Sequence, residues 1–155
     1  MKATGIVRRI DDLGRIVIPK EIRRTLHIRE SDPLEIFTDR EGQIILKKYS
    51  PIGEMTTFAK QYAESLAQVS GHPTLIADRD QFIAVSGGCK QLLNKAVSRQ
   101  LEEKINNRET VIAAKGDRNY VNIAEDIAVD YAWQLITPII CEGDIIGSVI
   151  LLEND

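Results

Sequence analysis

Along the first fifty positions, short apolar runs are separated by polar turns, at a spacing suited to strands with one short helix between them. Residues 5–10 (GIVRRI) and 15–18 (RIVI) are rich in β-branched residues, and the intervening DDLG supplies Asp and Gly for a turn, so the stretch predicts strand, loop and strand. Both parities of these strands are apolar: Ile6 and Ile10 oppose Val7, and Ile16 and Ile18 oppose Val17. A piece this short cannot cover two faces alone, which points to a second copy of the chain as the cover. Pro19 then sets a first helical turn, with Glu21 near the positive end of the helix dipole and Ile22 and Leu26 on one face. Lys20, Arg23, Arg24 and His27 fall outside that face, and the helix must end before Pro33. Two more strands, 34–38 (LEIFT) and 43–48 (QIILKK), flank a DREG loop.

YSPIG at 49–53 marks a boundary. Beyond it the period becomes helical to about residue 69, with Met55, Phe58, Tyr62, Leu66 and Val69 in one stripe and Ala59, Ala63 and Ala67 around it. The stripe suits packing on its own sheet or on a twin helix, and the residues leave both open. GHP at 71–73 stops the helix, and TLIAD, a DRDQ turn and FIAVSG predict a hairpin. Leu93, Val97, Leu101 and Ile105 continue a helical period over 90–105, while 109–114 and 119–124 read as strands around a polar KGDR loop. A long final hairpin is expected from WQLITPII, CEGD and IIGSVILLE. The second half is therefore α+β, with five to six mostly antiparallel strands and helices on one side. No internal repeat or low-complexity tract stands out.

Composition is that of a soluble globular protein, at 155 residues and 43% hydrophobic, but the charge is unevenly spread. Residues 1–50 carry 11 Lys and Arg against 8 Asp and Glu, and residues 51–155 carry 9 against 15. A basic module joined to an acidic one is implied. Cys89 and Cys141 have neither disulfide-framework nor zinc spacing, so reduced thiols in a cytoplasmic protein are expected. The start MKATGIVRRI has no signal-peptide core, and no apolar run approaches the length of a membrane span.

The chemistry concentrates in Arg8, Arg9, Arg15, Arg23 and Arg24, five arginines in seventeen residues that can converge once the strands pair around DDLG. The planar fork of arginine donates two parallel hydrogen bonds to a phosphate or a guanine edge. The competing reading is solvated surface charge, paired with Asp11, Asp12 and Glu21. Elsewhere the signals are weaker. His27 and His72 stand alone and suit surface or capping roles, and Asp78 and Asp80 are explained by turn chemistry. The glycine pair at 87–88 matches no phosphate-binding motif, and Cys89 beside it fits buried packing. Tyr131 and Trp133 fit core packing or a pocket wall. No nucleophile, base and oxyanion donors come together and no metal-ligand spacing is present, so the chain reads as a binding protein rather than an enzyme.

The run TGIVRRIDDLGRIVIPKEIRRTLHIRESDPLEI closely resembles AbrB-type swapped-hairpin DNA-binding domains: a strand, a loop with Gly-Arg, a strand ending in Ile-Pro, and a helix opening with a basic pair. The resemblance covers about residues 1–50. It implies a small barrel interlaced from two chains, with Arg8, Arg15, Arg23 and Arg24 at the family's DNA-contact positions, Arg9 beside them and Lys20 a weaker addition. The whole chain is similar to regulators of late spore development, activating some promoters and repressing others, that join such a domain to a C-terminal GAF domain and assemble as tetramers. The implied organisation is a DNA-binding domain at 1–50, a linker and connecting helix at 51–69, and a GAF-like regulatory domain at 70–155. A GAF domain usually closes with a further helix, and here LLEND follows directly on a strand, so either the sequence is shortened or incomplete or the domain is trimmed of that helix. No cofactor is expected, and the residues by which nucleotide-binding GAF domains hold a cyclic nucleotide have no match. The implied partners are double-stranded DNA, a second chain through 1–50, further copies through the GAF-like half, and an effector of unassigned identity. Swapped-hairpin proteins also serve as antitoxins that bind DNA and a toxin, and an assembly scaffold without DNA affinity is a third reading.

Overall fold

A computed structural model of the chain describes residues 3–154 and divides it into two compact units, one ending at Tyr49 and one beginning at Ser50. The architecture is α+β with antiparallel sheets throughout.

In the first unit a single hairpin is fully paired. Strands β1 (Leu34–Thr38) and β2 (Ile44–Lys48) run antiparallel, with Leu34 opposite Lys48 and Thr38 opposite Ile44. Helix α1 (Lys20–Thr25) begins one residue after Pro19, which lacks the amide that an N-terminal turn leaves unpaired anyway. The helix stops at a reversal in which Ile28 N–H donates to the Arg23 carbonyl and His27 N–H to that of Arg24, with His27 itself left-handed at φ 53°. The strands expected at 5–10 and 15–18 form no ladder with each other or with any other strand among the described residues. The physical reason lies in their two apolar faces. Ile6, Val7, Ile10, Ile16 and Val17 stay exposed, and among the described residues of this unit only Pro19 is buried.

The second unit has a complete core. Strands β3 (Thr74–Ala77), β4 (Phe82–Ser86), β5 (Val111–Ala114), β6 (Trp133–Cys141) and β7 (Asp144–Glu153) form one sheet in the order β4-β3-β7-β6-β5. Strand β3, between β4 and β7, is buried along its whole length. Helix α2 (Thr56–Ser70) presses Ala59 and Ala63 onto Ile76, Ile83 and Ala84. Its larger residues Phe58, Tyr62 and Val69, with Met55 just before it, remain exposed, and the rings of Phe58 and Tyr62 stand edge to face at 4.8 Å. Helix α3 (Arg99–Asn106) sends Leu101 and Ile105 into a larger cluster with Leu75, Phe82, Ile136 and Ile150 on the other face. Helices thus cover both faces of the sheet, not one as the sequence suggested.

Two further expectations are corrected. The helix predicted over 90–105 is a short 3-10 turn, Lys90–Leu92, followed by α3. Between them the chain is tied to the start of β4: Phe82 N–H donates to the Lys95 carbonyl and Asn94 N–H to that of Phe82. Asn94 takes a left-handed φ of 63°, and Ser98 caps α3 by accepting from Leu101 N–H at 3.0 Å. The strand predicted over 119–124 joins no sheet. There the buried Gln134 amide pairs with Val121, its Oε1 accepting from Val121 N–H at 2.8 Å and its Nε2 donating to the Val121 carbonyl at 2.9 Å, while Ser98 N–H donates to the Ile123 carbonyl.

Candidate nucleic-acid interface

The five arginines stand on three supports: the unpaired N-terminal arm, the loop that follows it, and α1. The loop is built around one carboxylate. Asp11 Oδ1 accepts from Leu13 N–H at 2.9 Å and from Arg15 N–H at 2.8 Å. Its own N–H donates to the Arg15 carbonyl, and Gly14, left-handed at φ 77°, donates back to the Asp11 carbonyl. Glycine meets no steric cost in that conformation. The other Asp11 oxygen, Oδ2, takes the Arg15 Nε–H at 2.7 Å. These bonds from the Arg15 backbone and then its guanidinium hold the Asp11 carboxyl below the ordinary carboxylate range. The remaining guanidinium nitrogens of Arg15 make no hydrogen bond among the described residues.

On α1, Arg23 and Arg24 occupy the last turn, where cations complement the negative end of the dipole. The Arg23 Nε–H donates back to the Ile18 carbonyl at 3.1 Å, fixing that side chain against the segment leading from the loop. Arg8, Arg9 and Arg24 are exposed and make no ion pair among the described residues. Of the three carboxylates suggested as surface partners, only Asp11 takes an arginine among the described residues, and that arginine is Arg15. Lys20 is also exposed. Lys48 reaches the His27 carbonyl at 2.9 Å, locking the end of α1 to β2. His27 thus joins the end of the helix through its backbone alone, and the residue stays exposed.

One feature escaped the sequence reading. The loop between β1 and β2 repeats the first loop bond for bond: Asp39 Oδ1 accepts from the N–H groups of Glu41 and Gln43, both at 2.9 Å. Asp39 N–H donates to the Gln43 carbonyl, Gly42 N–H donates to the Asp39 carbonyl, and Gly42 is left-handed at φ 81°. Asp39 Oδ2 receives the Gln43 side-chain amide at 2.6 Å, where Arg15 stands in the first loop. The signal was present as a five-residue pattern, DDLGR and DREGQ, too short to register as an internal repeat.

In the second unit, Cys89 is buried with its Sγ 2.6 Å from Tyr131 Oη. Burial pushes the Cys89 thiol up, and burial together with that contact pushes the Tyr131 phenol up to about 12. Such a pair is packing chemistry, not a reactive centre. Among the described residues no helix is long and apolar enough to cross a membrane.

Two sequence families match the chain. Residues 54–155 match the family described as stage V sporulation protein T C-terminal, transcription factor, and residues 7–54 match that described as antidote-toxin recognition MazE, bacterial antitoxin. Stage V sporulation protein T of Bacillus subtilis (strain 168) is 54% identical over 156 residues, spanning 100% of this chain and 86% of that protein. The transition state regulatory protein AbrB of the same organism is 44% identical over 108 residues, 70% of this chain and 93% of the relative. The N-domain of the transcription factor AbrB, solved in solution, is 67% identical, covering 33% of this chain and 96% of that one with a TM-score of 0.30. With one family matched over its C-terminal two thirds and a relative matched along its whole length, this chain belongs to the stage V sporulation protein T family of transcription factors.

Proposed function

We propose that the chain is a DNA-binding regulator of late sporulation genes, activating some promoters and repressing others, and that residues 1–50 form the DNA-binding module as an interlaced dimer. The observation carrying this reading is the first unit itself: apolar arms open on both faces beside Arg8, Arg9 and Arg24, which lack ion pairs among the described residues. A second chain covers the arms, and ten arginines from two chains then face duplex DNA, binding through phosphate and shape with some base contacts. Residues 51–69 act as linker and connecting helix. Residues 70–155 act as a GAF-like regulatory domain, a reading supported by the antiparallel sheet with a helix on each face. This half brings dimers together as tetramers and, through an effector, alters how the paired DNA-binding modules engage a promoter. The protein acts in the cytoplasm, by binding and not by catalysis.

The test is Arg15→Ala and Arg23→Ala in a promoter-binding assay at about 0.15 M salt, where phosphate contacts still count. Each base-contacting arginine should cost on the order of 1 to 3 kcal/mol, and each phosphate contact should flatten the salt dependence. Unchanged affinity in both variants refutes the reading. The match of residues 7–54 to an antitoxin family favours one second reading, a protein that also binds a toxin. The folded second unit argues against it, because a disordered tail is what wraps a partner of that kind. Co-purification of a small basic protein would support it.

A further inference from the structure

The repeated loop makes Asp11 stand out. A carboxylate on a surface that meets phosphates opposes binding. The first loop nevertheless places one there and spends its second oxygen on a side chain: Oδ1 alone bridges the two loop amides, and Oδ2 is left for Arg15 Nε at 2.7 Å. The loop backbone does not require an arginine in the fifth place, because the loop at Asp39 keeps every backbone bond with Gln43 there. The Asp11–Arg15 pair is therefore an addition to the loop, not a condition of it.

A guanidinium offers two hydrogen-bonding edges, one with Nε and one Nη, the other with both Nη groups. Asp11 occupies the Nε position, which leaves the edge carrying both Nη groups directed away from the carboxylate. An arginine held by one nitrogen presents that fork in a fixed direction, as bidentate reading of guanine O6 and N7 requires. An arginine with no such tether can settle on any phosphate. We infer that Asp11 is a positioning residue for Arg15, lowering general affinity for DNA while raising the discrimination between sequences. The inference rests on the proposed DNA-binding function and deepens it.

The experiment uses the full chain and two duplexes: one that the parent protein selects from a random-sequence pool, and poly(dI-dC). Affinity for each is read by fluorescence anisotropy across a salt series. Asp11→Asn keeps an oxygen for the two loop amides and loses the acceptor for Arg15 Nε, and Asp39→Asn makes the same change in the second loop. Asp11→Asn should lower the ratio of selected to poly(dI-dC) affinity about 10-fold or more, the range of a good bidentate base contact, while poly(dI-dC) binding tightens. Asp39→Asn should leave the ratio unchanged. In an Arg15→Ala background, Asp11→Asn should change the ratio no further, because its effect passes through Arg15. Amide spectra of Leu13 and Gly14 report whether the loop persists; if Asp11→Asn collapses it, Asp11→Glu, which keeps the carboxylate, should restore discrimination. An unchanged ratio in Asp11→Asn, an equal loss in Asp39→Asn, or a loss that adds to that of Arg15→Ala overturns the inference while leaving DNA binding intact. A parent chain that binds neither duplex overturns the proposed function instead.

Discussion

Under the proposed dimer, replacing Val7 with Ser should separate the two chains. In the single chain Val7 is 85% exposed, Ile10 70%, Ile16 56% and Val17 69%, and Pro19 alone is buried among the described residues of the first unit. Fully burying a side chain of this class contributes about 1.5 to 3 kcal/mol, so four such residues in each of two chains can supply on the order of 10 kcal/mol. That is enough to offset an association cost estimated at about 4 to 15 kcal/mol. Val7→Ser removes most of one such contribution from each chain, a loss of about 3 to 5 kcal/mol per dimer, or roughly a hundred- to several-thousand-fold in dissociation constant. The assay is sedimentation equilibrium on a fragment of residues 1–53, from nanomolar to near-millimolar concentration, with and without the substitution. The parent fragment should dimerise and bind DNA more weakly than the full chain, and the variant should dissociate at far higher concentration. A parent fragment that stays folded and monomeric at the top of that range refutes the reasoning, as does a variant that dimerises as well as the parent.

Other outcomes follow from the second unit. Ile105→Ala, at a fully buried site on α3 facing the sheet, should destabilise that unit by about 2 to 5 kcal/mol in a denaturant titration while leaving the first unit's DNA contacts in place. Cys141 is exposed and Cys89 is buried with its thiol pushed up, so a thiol reagent at pH 8 should label Cys141 promptly and Cys89 only on unfolding. Equal labelling rates in the folded protein would contradict the packing of Cys89 against Tyr131.

The parts of the fold that were legible in sequence are those in which local pattern and tertiary role agree. The final hairpin was expected and found because β6 and β7 are long and Glu142 and Gly143, both at positive φ, form the turn. The segments 5–10 and 15–18 were read through their doubled apolar faces, which said that they lack a cover within the chain, and their exposure accords with this. Residues 90–105 failed because Leu93, Val97, Leu101 and Ile105 keep a four-residue spacing across two different structures, and Leu93 is 45% exposed where the other three are buried. Tertiary pairing with residues 80–82 overrode the period. Residues 119–124 failed for a related reason: their backbone pairs with the side chains of Gln134 and Gln100 and with the Ser98 amide instead of a strand, which no strand pattern reveals. At the candidate interface the arginines were legible by type, whereas the role of Asp11 was not, since a carboxylate in a turn has an ordinary explanation until its second oxygen is seen to hold Arg15.

The two units follow different stability logic, and that difference bears on regulation. The second unit buries Phe82, Leu75, Leu101, Ile105, Ile136 and Ile150 within one chain, so it can fold without a partner. In the first unit one paired hairpin and a six-residue helix bury only Pro19 among the described residues, and a helix this short is marginal without tertiary packing. Under the proposed dimer, ordering of the DNA-binding module and association of two chains become one equilibrium, dependent on protein concentration. A second unit that itself associates raises the local concentration of first units through the linker, and so favours the DNA-binding form without touching DNA. An effector that shifts that association by even about 1.4 kcal/mol would change the concentration of competent modules about tenfold in the dilute limit. Regulation then needs no contact between effector and DNA, and no reshaping of the arginine surface. It needs only that the arms around Asp11 and Arg15 remain incomplete until a second chain arrives.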